Sequence, residues 1–307
     1  MNASALFRAT FGVAPRAAAS APGRVNLLGE QTDYNGGPVL PVAIQQRAVV
    51  AVGPAEAGVL EVVSTRDGRR QRIDYEATHL EGWGAYVAGV MRELLASGAG
   101  PVGGGAQVAV AGAVPIGAVL GSSAALTVAT VKALSALVGT GAPLAARQLA
   151  GIAFRAEHDH VGVRCGIMDQ TIAALAKPHR ALFIECASAA TRHVSFPRRG
   201  RLLLVDTGVR HDLAAGPLNQ RRAECEAAVA RLRLELPELI WLATWPAAWL
   251  ARLKKALRGR GGEGRGCTRR PADRRRMGRC RARAGRTEAR PPRRRRHQPR
   301  VRASVRV

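Results

Sequence analysis

Three short stretches of this 307-residue chain hold the side chains best suited to act on a substrate. The first, Gly23–Pro41, reads GRVNLLGEQTDYNGGPVLP, with Arg24 ahead of two acids, Glu30 and Asp33, in a run dense with turn formers. Carboxylates accept bidentately and a guanidinium donates, so this combination suits the gripping of several sugar hydroxyls. It equally suits a solvated loop closed by an internal ion pair. The second, Val114–Leu126, reads VPIGAVLGSSAAL, a Gly/Ser-rich turn that runs into an apolar helix. Small residues let backbone approach a bound group, and the helix start offers unpaired amides and the positive end of a dipole, a way to hold phosphate. An ordinary helix cap with close packing would produce the same text. No lysine follows the glycines, so this is not a P-loop. The third, Glu157–Gln170, reads EHDHVGVRCGIMDQ. Its acids can converge only through tertiary folding. The stretch offers Glu157 as a hard-oxygen ligand for Mg²⁺ and Asp169 as a base. His158 and His160 flank Asp159, but alternate positions on a helix point apart, which argues against a metal role for them.

These residues need elements to position them. Residues 1–16 space Leu6, Phe7 and Phe11 near one face of a short helix. From Ala21 to Val52 the pattern predicts strand, loop, strand, with RVNLL strand-like and PVLPVAIQQRAVVAV resuming a β-rich run. Segments 59–64 and 70–75 flank a TRDG turn as a hairpin would. Tyr86 to Ser97 predicts a helix and GAQVAVAGAVP a strand, followed by the long helix that the glycine-rich turn opens. Ala145 to His158 and CGIMDQTIAAL predict two more helices, and ALFIEC, HVSFP and RLLLVDTG predict strands. Asn219 to Leu234 reads as an amphipathic helix with its charges on one side. Strands and helices mix without strict βαβ alternation, which favours an α+β fold.

Composition bounds the partners. The chain is 47% apolar, enough for a sizeable core, and carries a net charge of +25. Most of that charge is local: residues 258–307 hold 20 arginines against three acids, a surplus of 17. The basic balance therefore does not mark the folded part as a binder of nucleic acid or anionic membrane. Five widely spaced cysteines without a CxxC pair argue against a zinc site or a disulfide framework and suit a reducing, cytoplasmic setting. No run is long and apolar enough to span a membrane, and the N-terminus lacks the pattern of a signal peptide.

Taken in order, the three stretches resemble the signatures of galactokinases and of the superfamily they share with homoserine, mevalonate and phosphomevalonate kinases. Gly23–Gly37 is similar to the galactokinase motif GRVNLIGEHTDYNGG. Val114–Leu126 resembles the superfamily phosphate loop PxGAGLSSSAAL, and CGIMDQ resembles the stretch around the catalytic aspartate. DTGVRHDLAAGPLNQRRAECEAAVARL resembles the opening of the second domain. The resemblance runs from about Phe7 to about Leu234. It implies a two-domain sugar-kinase fold, with a nearly complete N-terminal domain over 1–198 and a partial second domain over 199–257. It further implies ATP and Mg²⁺ as cofactors and phosphorylation of galactose at its anomeric hydroxyl. Asp169 would be base or charge stabiliser, with Arg24 beside it. Ser123 and Glu157 would hold Mg²⁺, while Pro115, Gly117, Ala118, Val119, Leu120, Gly121, Ser122 and Ser123 would cradle ATP. Glu30, Gln31, Asp33 and the backbone of Gly166 would bind the sugar.

The departures matter as well. Gln31 stands where the family carries His, and Leu218 where a sugar-contacting Tyr is expected, so the identity of the sugar is open. Val119 replaces a Gly at a position where φ is expected to be positive or phosphate must come close. Past about Leu257 nothing matches the family, and the family's third glycine-rich motif is missing. Residues 258–307 have too few large apolar side chains to offset chain entropy and are expected to be disordered. Their composition is that of a GC-rich gene translated out of frame, or of an arginine-rich arm that binds nucleic-acid phosphates. Trp241, Trp245 and Trp249 are spaced as the core-facing stripe of a helix. A kinase for another sugar or small alcohol, and an inactive sugar- or nucleotide-binding module, are the alternative functions.

Overall fold

The computed structural model describes residues 2–139, 143–197, 202–205, 217–234 and 237–244. The 198/199 boundary, Trp245, Trp249 and the segment 258–307 lie outside the described residues. A long strand organises the rest. Strand β3 (Pro41–Pro54) pairs antiparallel along its length with β1 (Ala17–Asn26), and on its other side with β6 (Ala106–Gly112). Beyond β6 lie β4 (Leu60–Ser64), parallel to it, and β5 (Gln71–Ile73), which closes the predicted hairpin. Near its start β3 touches β7 (Arg180–Glu185) at Val42, and β7 pairs with the short β2 (Pro38–Val39) and with β8 (Ala190–Ser195). Strand β1 starts at Ala17, earlier than RVNLL suggests. The run Ala17–Ser20 lacks branched side chains and is strand because it pairs with Val49–Val52, a tertiary cause.

Alternation along β3 and β6 sorts side chains to two faces. Val50, Val52, Val108 and Val110 face a large core against three helices, α2 (Gly84–Ala96), α3 (Ser122–Val138) and α4 (Ala146–Arg155). Ala51 and Ala109 face the other way and are covered by α1 (Ala3–Phe11), whose Leu6 and Phe7 are buried while Phe11 packs at the edge. Asn2 caps α1 by accepting from the Ala5 amide at 2.8 Å. A further helix, α5 (Met168–Leu175), lays Met168 and Ile172 on Val39, Leu182 and Ile184.

Two predicted elements differ. The helix expected over Ala145–His158 ends at Arg155 and widens into a π-turn, Ala156–His160. RLLLVDTG shows only an isolated bridge at Leu202, followed by irregular chain to Val205, with the remainder outside the described residues. The last helix, α6 (Pro217–Arg233), is amphipathic only in part: Leu218, Arg222, Cys225, Val229 and Leu232 form a half-buried stripe on an otherwise exposed rod. Among the described residues, no helix is long and apolar enough to cross a membrane.

Candidate active site

The site begins with a defect in β1. The register with β3 slips between Pro22 and Arg24, leaving Gly23 in a bulge. A Cβ at Gly23 would lie 2.7 Å from the carbonyl oxygen of Leu120 and 2.9 Å from Val114, so only glycine lets the loop before α3 come this close. The Arg24 amide then donates to Leu120 O at 2.9 Å. Because the bulge re-aims its side chain, the Arg24 guanidinium points into a cleft, where it donates to three acceptors. Nε meets Asp169 Oδ1 at 2.6 Å, Nη2 meets Asp169 Oδ2 at 2.5 Å, and Nη1 meets Val119 O at 2.5 Å. Both partners of the ion pair are largely shielded, with side-chain exposures of 10% and 21%. Burial opposes the guanidinium charge, but Asp169, with Asp33 and Glu30 adding to it, more than offsets this and raises its pKa.

Around this pair lies a cavity of about 310 Å³ with three walls. One is the glycine-rich loop and the start of α3. Gly121, at φ 67°, caps the helix without a side-chain hydrogen bond, and Gly117, Val119, Leu120, Ser122 and Ser123 complete this wall. The first amides of α3 are thus left for whatever enters. Val119 holds φ at 57°, the conformation expected of the glycine it replaces, and its side chain is exposed.

The second wall is the loop of Glu30, Gln31, Asp33 and Tyr34. Gln31 is left-handed, at φ 61°. Its Oε1 accepts from the Tyr34 hydroxyl at 3.0 Å and its carbonyl accepts from Asn35 Nδ2 at 2.8 Å. Thr32 Oγ1 ties the loop to the carbonyls of Gly29 and Pro38 at 2.8 and 3.0 Å. Asp33 packs directly against Gly166, another residue of the cavity. Burial, reinforced by nearby Asp169 and resisted by the Tyr34 amide and Arg24, raises the Asp33 carboxyl to about 6.

The third wall comes from α5 and the π-turn. Glu157 is buried, accepts from Gln170 Nε2 at 2.9 Å and is hydrogen-bonded to the Ser123 side chain. Burial first, with Asp169 adding, raises its carboxyl to about 7 against the lowering effect of these donors. Over the acid loop sits α6, which contributes Leu218 and Arg221. It is docked by polar bonds. Asn219 Oδ1 accepts from the Arg164 amide at 3.0 Å, Arg222 Nη1 donates to Cys165 O at 2.8 Å, and Arg164 pairs with Glu226.

The structure therefore brings Arg24, Glu30, Gln31, Asp33, Glu157, Gly166 and Asp169 to one cavity with Gly117 and the run from Val119 to Ser123. Pro115 and Ala118 belong to the same turn but do not line it. Tyr34, Cys165, Gln170 and Arg221 do line it and escaped the sequence reading. Adjacency to Asp169 was the available signal for Gln170, whereas nothing local marked Arg221. His158 bonds its neighbour Asp159, and His160 turns away from the cavity to Glu93.

Comparison with known proteins gives this cavity a context. A family model described as the galactokinase galactose-binding signature matches residues 5–54, and one described as the GHMP kinases N terminal domain matches residues 85–177. The galactokinase of Chloroflexus aurantiacus is 41% identical over 238 residues, which is 76% of this chain and 60% of that protein. Over that span the chain is similar to galactokinases. Human galactokinase is 38% identical over 241 residues, again 60% of its length. The chain thus spans about 60% of the length of these curated relatives. Among solved structures, Lactococcus lactis galactokinase complexed with galactose superposes with a TM-score of 0.72 at 24% identity, over 85% of this chain and 67% of that one. That likeness establishes a mixed α/β fold. The two matched models fall on the walls described above: Arg24 to Asp33 in the first, and the glycine-rich loop, Glu157 and Asp169 in the second.

Proposed function

We propose that this chain transfers the γ-phosphoryl group of ATP to the anomeric hydroxyl of galactose. The bidentate Arg24–Asp169 pair carries the reading, because it sets a proton acceptor and a fixed positive charge between a backbone cradle and a loop of acids. The amides from Gly117 to Ser123, at the open start of α3, hold the nucleotide phosphates. Glu30, Asp33, Gln31 and the Gly166 backbone grip the sugar hydroxyls that do not react. Each Asp169 oxygen accepts one bond from Arg24 and keeps a further lone pair. Asp169 takes the proton of the C1 hydroxyl as that oxygen bonds the γ-phosphorus; the bond from phosphorus to the β–γ bridging oxygen breaks, and ADP leaves. Arg24 steadies the charge on the moving phosphoryl group.

Ser123 and Glu157 fit Mg²⁺. They touch, both offer oxygen, and Glu157 is a buried carboxylate whose direct partners are neutral donors, so a cation beside it would offset its burial. Among the described residues no three His, Cys, Asp or Glu side chains are placed to hold a metal ion by themselves, so the nucleotide would have to share in binding it. Held by Ser123 and Glu157, Mg²⁺ would supply positive charge to offset that of the β- and γ-phosphates. Cys165, Cys186 and Cys225 are free thiols, in keeping with a cytoplasmic setting.

Leu218 at the sugar end favours a second reading, a related sugar as acceptor, since a hydroxyl of galactose has lost a polar partner there. Purified full-length protein, offered ATP, Mg²⁺ and a panel of hexoses with ³¹P NMR of the products, separates the two. Galactose 1-phosphate supports the first reading. Another sugar phosphate in its place supports the second, and ATP consumption with no sugar phosphate refutes both.

A further inference from the structure

The π-turn that carries Glu157 does not hold itself. It interrupts what would be a continuous helix, and its main packing partner is α2, on the side away from the cavity. There α2 is glycine: a Cβ at Gly89 would stand 2.7 Å from the carbonyl oxygen of Ala156 and 3.1 Å from the Cβ of His160. One turn further along α2, Glu93 bridges both ends of the widened segment. Its Oε1 meets His160 Nε2 at 3.0 Å and its Oε2 accepts from Arg155 Nε at 2.5 Å. Arg92 Nη1 faces His160 Nδ1 at 3.4 Å, while the rest of that guanidinium is spent on the carbonyls of Tyr75 and Ala77. A guanidinium can only donate, so Nδ1 accepts and the imidazole proton sits on Nε2, aimed at Glu93.

We propose that Glu93 and His160 are positioning residues for Glu157: they clamp the π-turn so that this carboxylate faces Ser123 rather than following the helical path. This rests on the reading of Glu157 as a ligand of the divalent cation. An α-helical continuation from Arg155 would rotate Glu157 by the difference between a wide and a normal turn, and the clamp makes the wide turn the stable one.

The test uses the full chain and Mn²⁺ with a non-hydrolysable ATP analogue, with bound Mn²⁺ followed by electron paramagnetic resonance. His160→Ala is expected to weaken Mn²⁺ binding about tenfold, with metal-free nucleotide binding unchanged. His160→Gln, which keeps an N–H donor toward Glu93, should recover most of the loss. In the double variant His160→Ala/Glu157→Gln the loss should equal that of Glu157→Gln alone, because the clamp acts through Glu157. Unaltered Mn²⁺ binding in His160→Ala, or a further loss in the double variant, overturns the clamp while leaving Glu157 as ligand. If Glu157→Gln itself binds Mn²⁺ as the parent does, the ligand reading fails and the clamp falls with it. Should His160→Ala not fold, Glu93→Gln carries the same comparison, since it breaks the pairing with Arg155 and conserves shape.

Discussion

Asp33 is the residue whose replacement separates stability from binding most cleanly. Its carboxyl rises from 3.8 to about 6 in the fold, chiefly because it is buried against Gly166 and near Asp169. A carboxyl with a raised folded-state pKa binds its proton more tightly in the native than in the unfolded chain. Folding is therefore penalised as pH climbs from about 4 to about 6, and the penalty is complete above that window. That rise corresponds to about 3 kcal/mol at neutral pH. Asp33→Asn removes that penalty, keeps an acceptor for the Tyr34 amide, and gives up a charge near Arg24. A net gain of about 1–3 kcal/mol at pH 7.5 is expected, shrinking toward zero near pH 4. Urea unfolding of parent and variant at both pH values measures this, and taking the difference between the two proteins cancels every other titration. Isothermal titration at pH 7.5 should show galactose binding lost in the same variant. A variant less stable than the parent at pH 7.5, or a stability difference that does not change with pH, would refute the reasoning.

Other changes test other links. Val119→Gly replaces a β-branched residue at positive φ; relief of about 1–2 kcal/mol of strain outweighs roughly 0.5–1 kcal/mol of added unfolded-state entropy, so thermal unfolding should move up slightly. Arg24→Lys keeps the charge but cannot form the fork on Asp169 and also reach Val119 O. Turnover should fall on the order of 10²-fold, with KM for galactose changing far less. Arg24→Ala leaves a shielded carboxylate without its partner and should cost about 3–5 kcal/mol by denaturant unfolding. Gly89→Ala gains helix propensity, yet pushes on the Ala156 carbonyl, and a net loss of about 1–3 kcal/mol is expected by calorimetry.

Much of this site was legible because its parts are short and local. Glu30 and Asp33 share one turn-rich loop, Ser122 and Ser123 open a helix whose apolar run is unmistakable, and Asp169 lies in the first turn of another. What stayed hidden depends on pairing across the chain. The bulge at Gly23 exists only relative to the register with Ala43 and Arg47 on β3, which no window of β1 contains. The widening at Ala156 leaves no periodic signature in AEHDH, and its cause lies on α2, at Gly89 and Glu93. Val119 is an intermediate case: its departure from glycine was visible, and its φ of 57° shows that the backbone kept the glycine shape regardless. Arg221 enters the cavity by way of contacts that α6 makes with Arg164 and Cys165, a placement fixed by docking rather than by composition.

The lid-like position of α6 gives the molecule two kinds of mechanical joint. Arg24 and Asp169 are shielded, and dissolved ions scarcely reach them. One of the bonds that seat α6, the ion pair of the half-exposed Arg164 and Glu226, lies instead within reach of the surrounding electrolyte. Raising ionic strength is therefore expected to weaken the seat of α6 before it disturbs the Arg24–Asp169 pair.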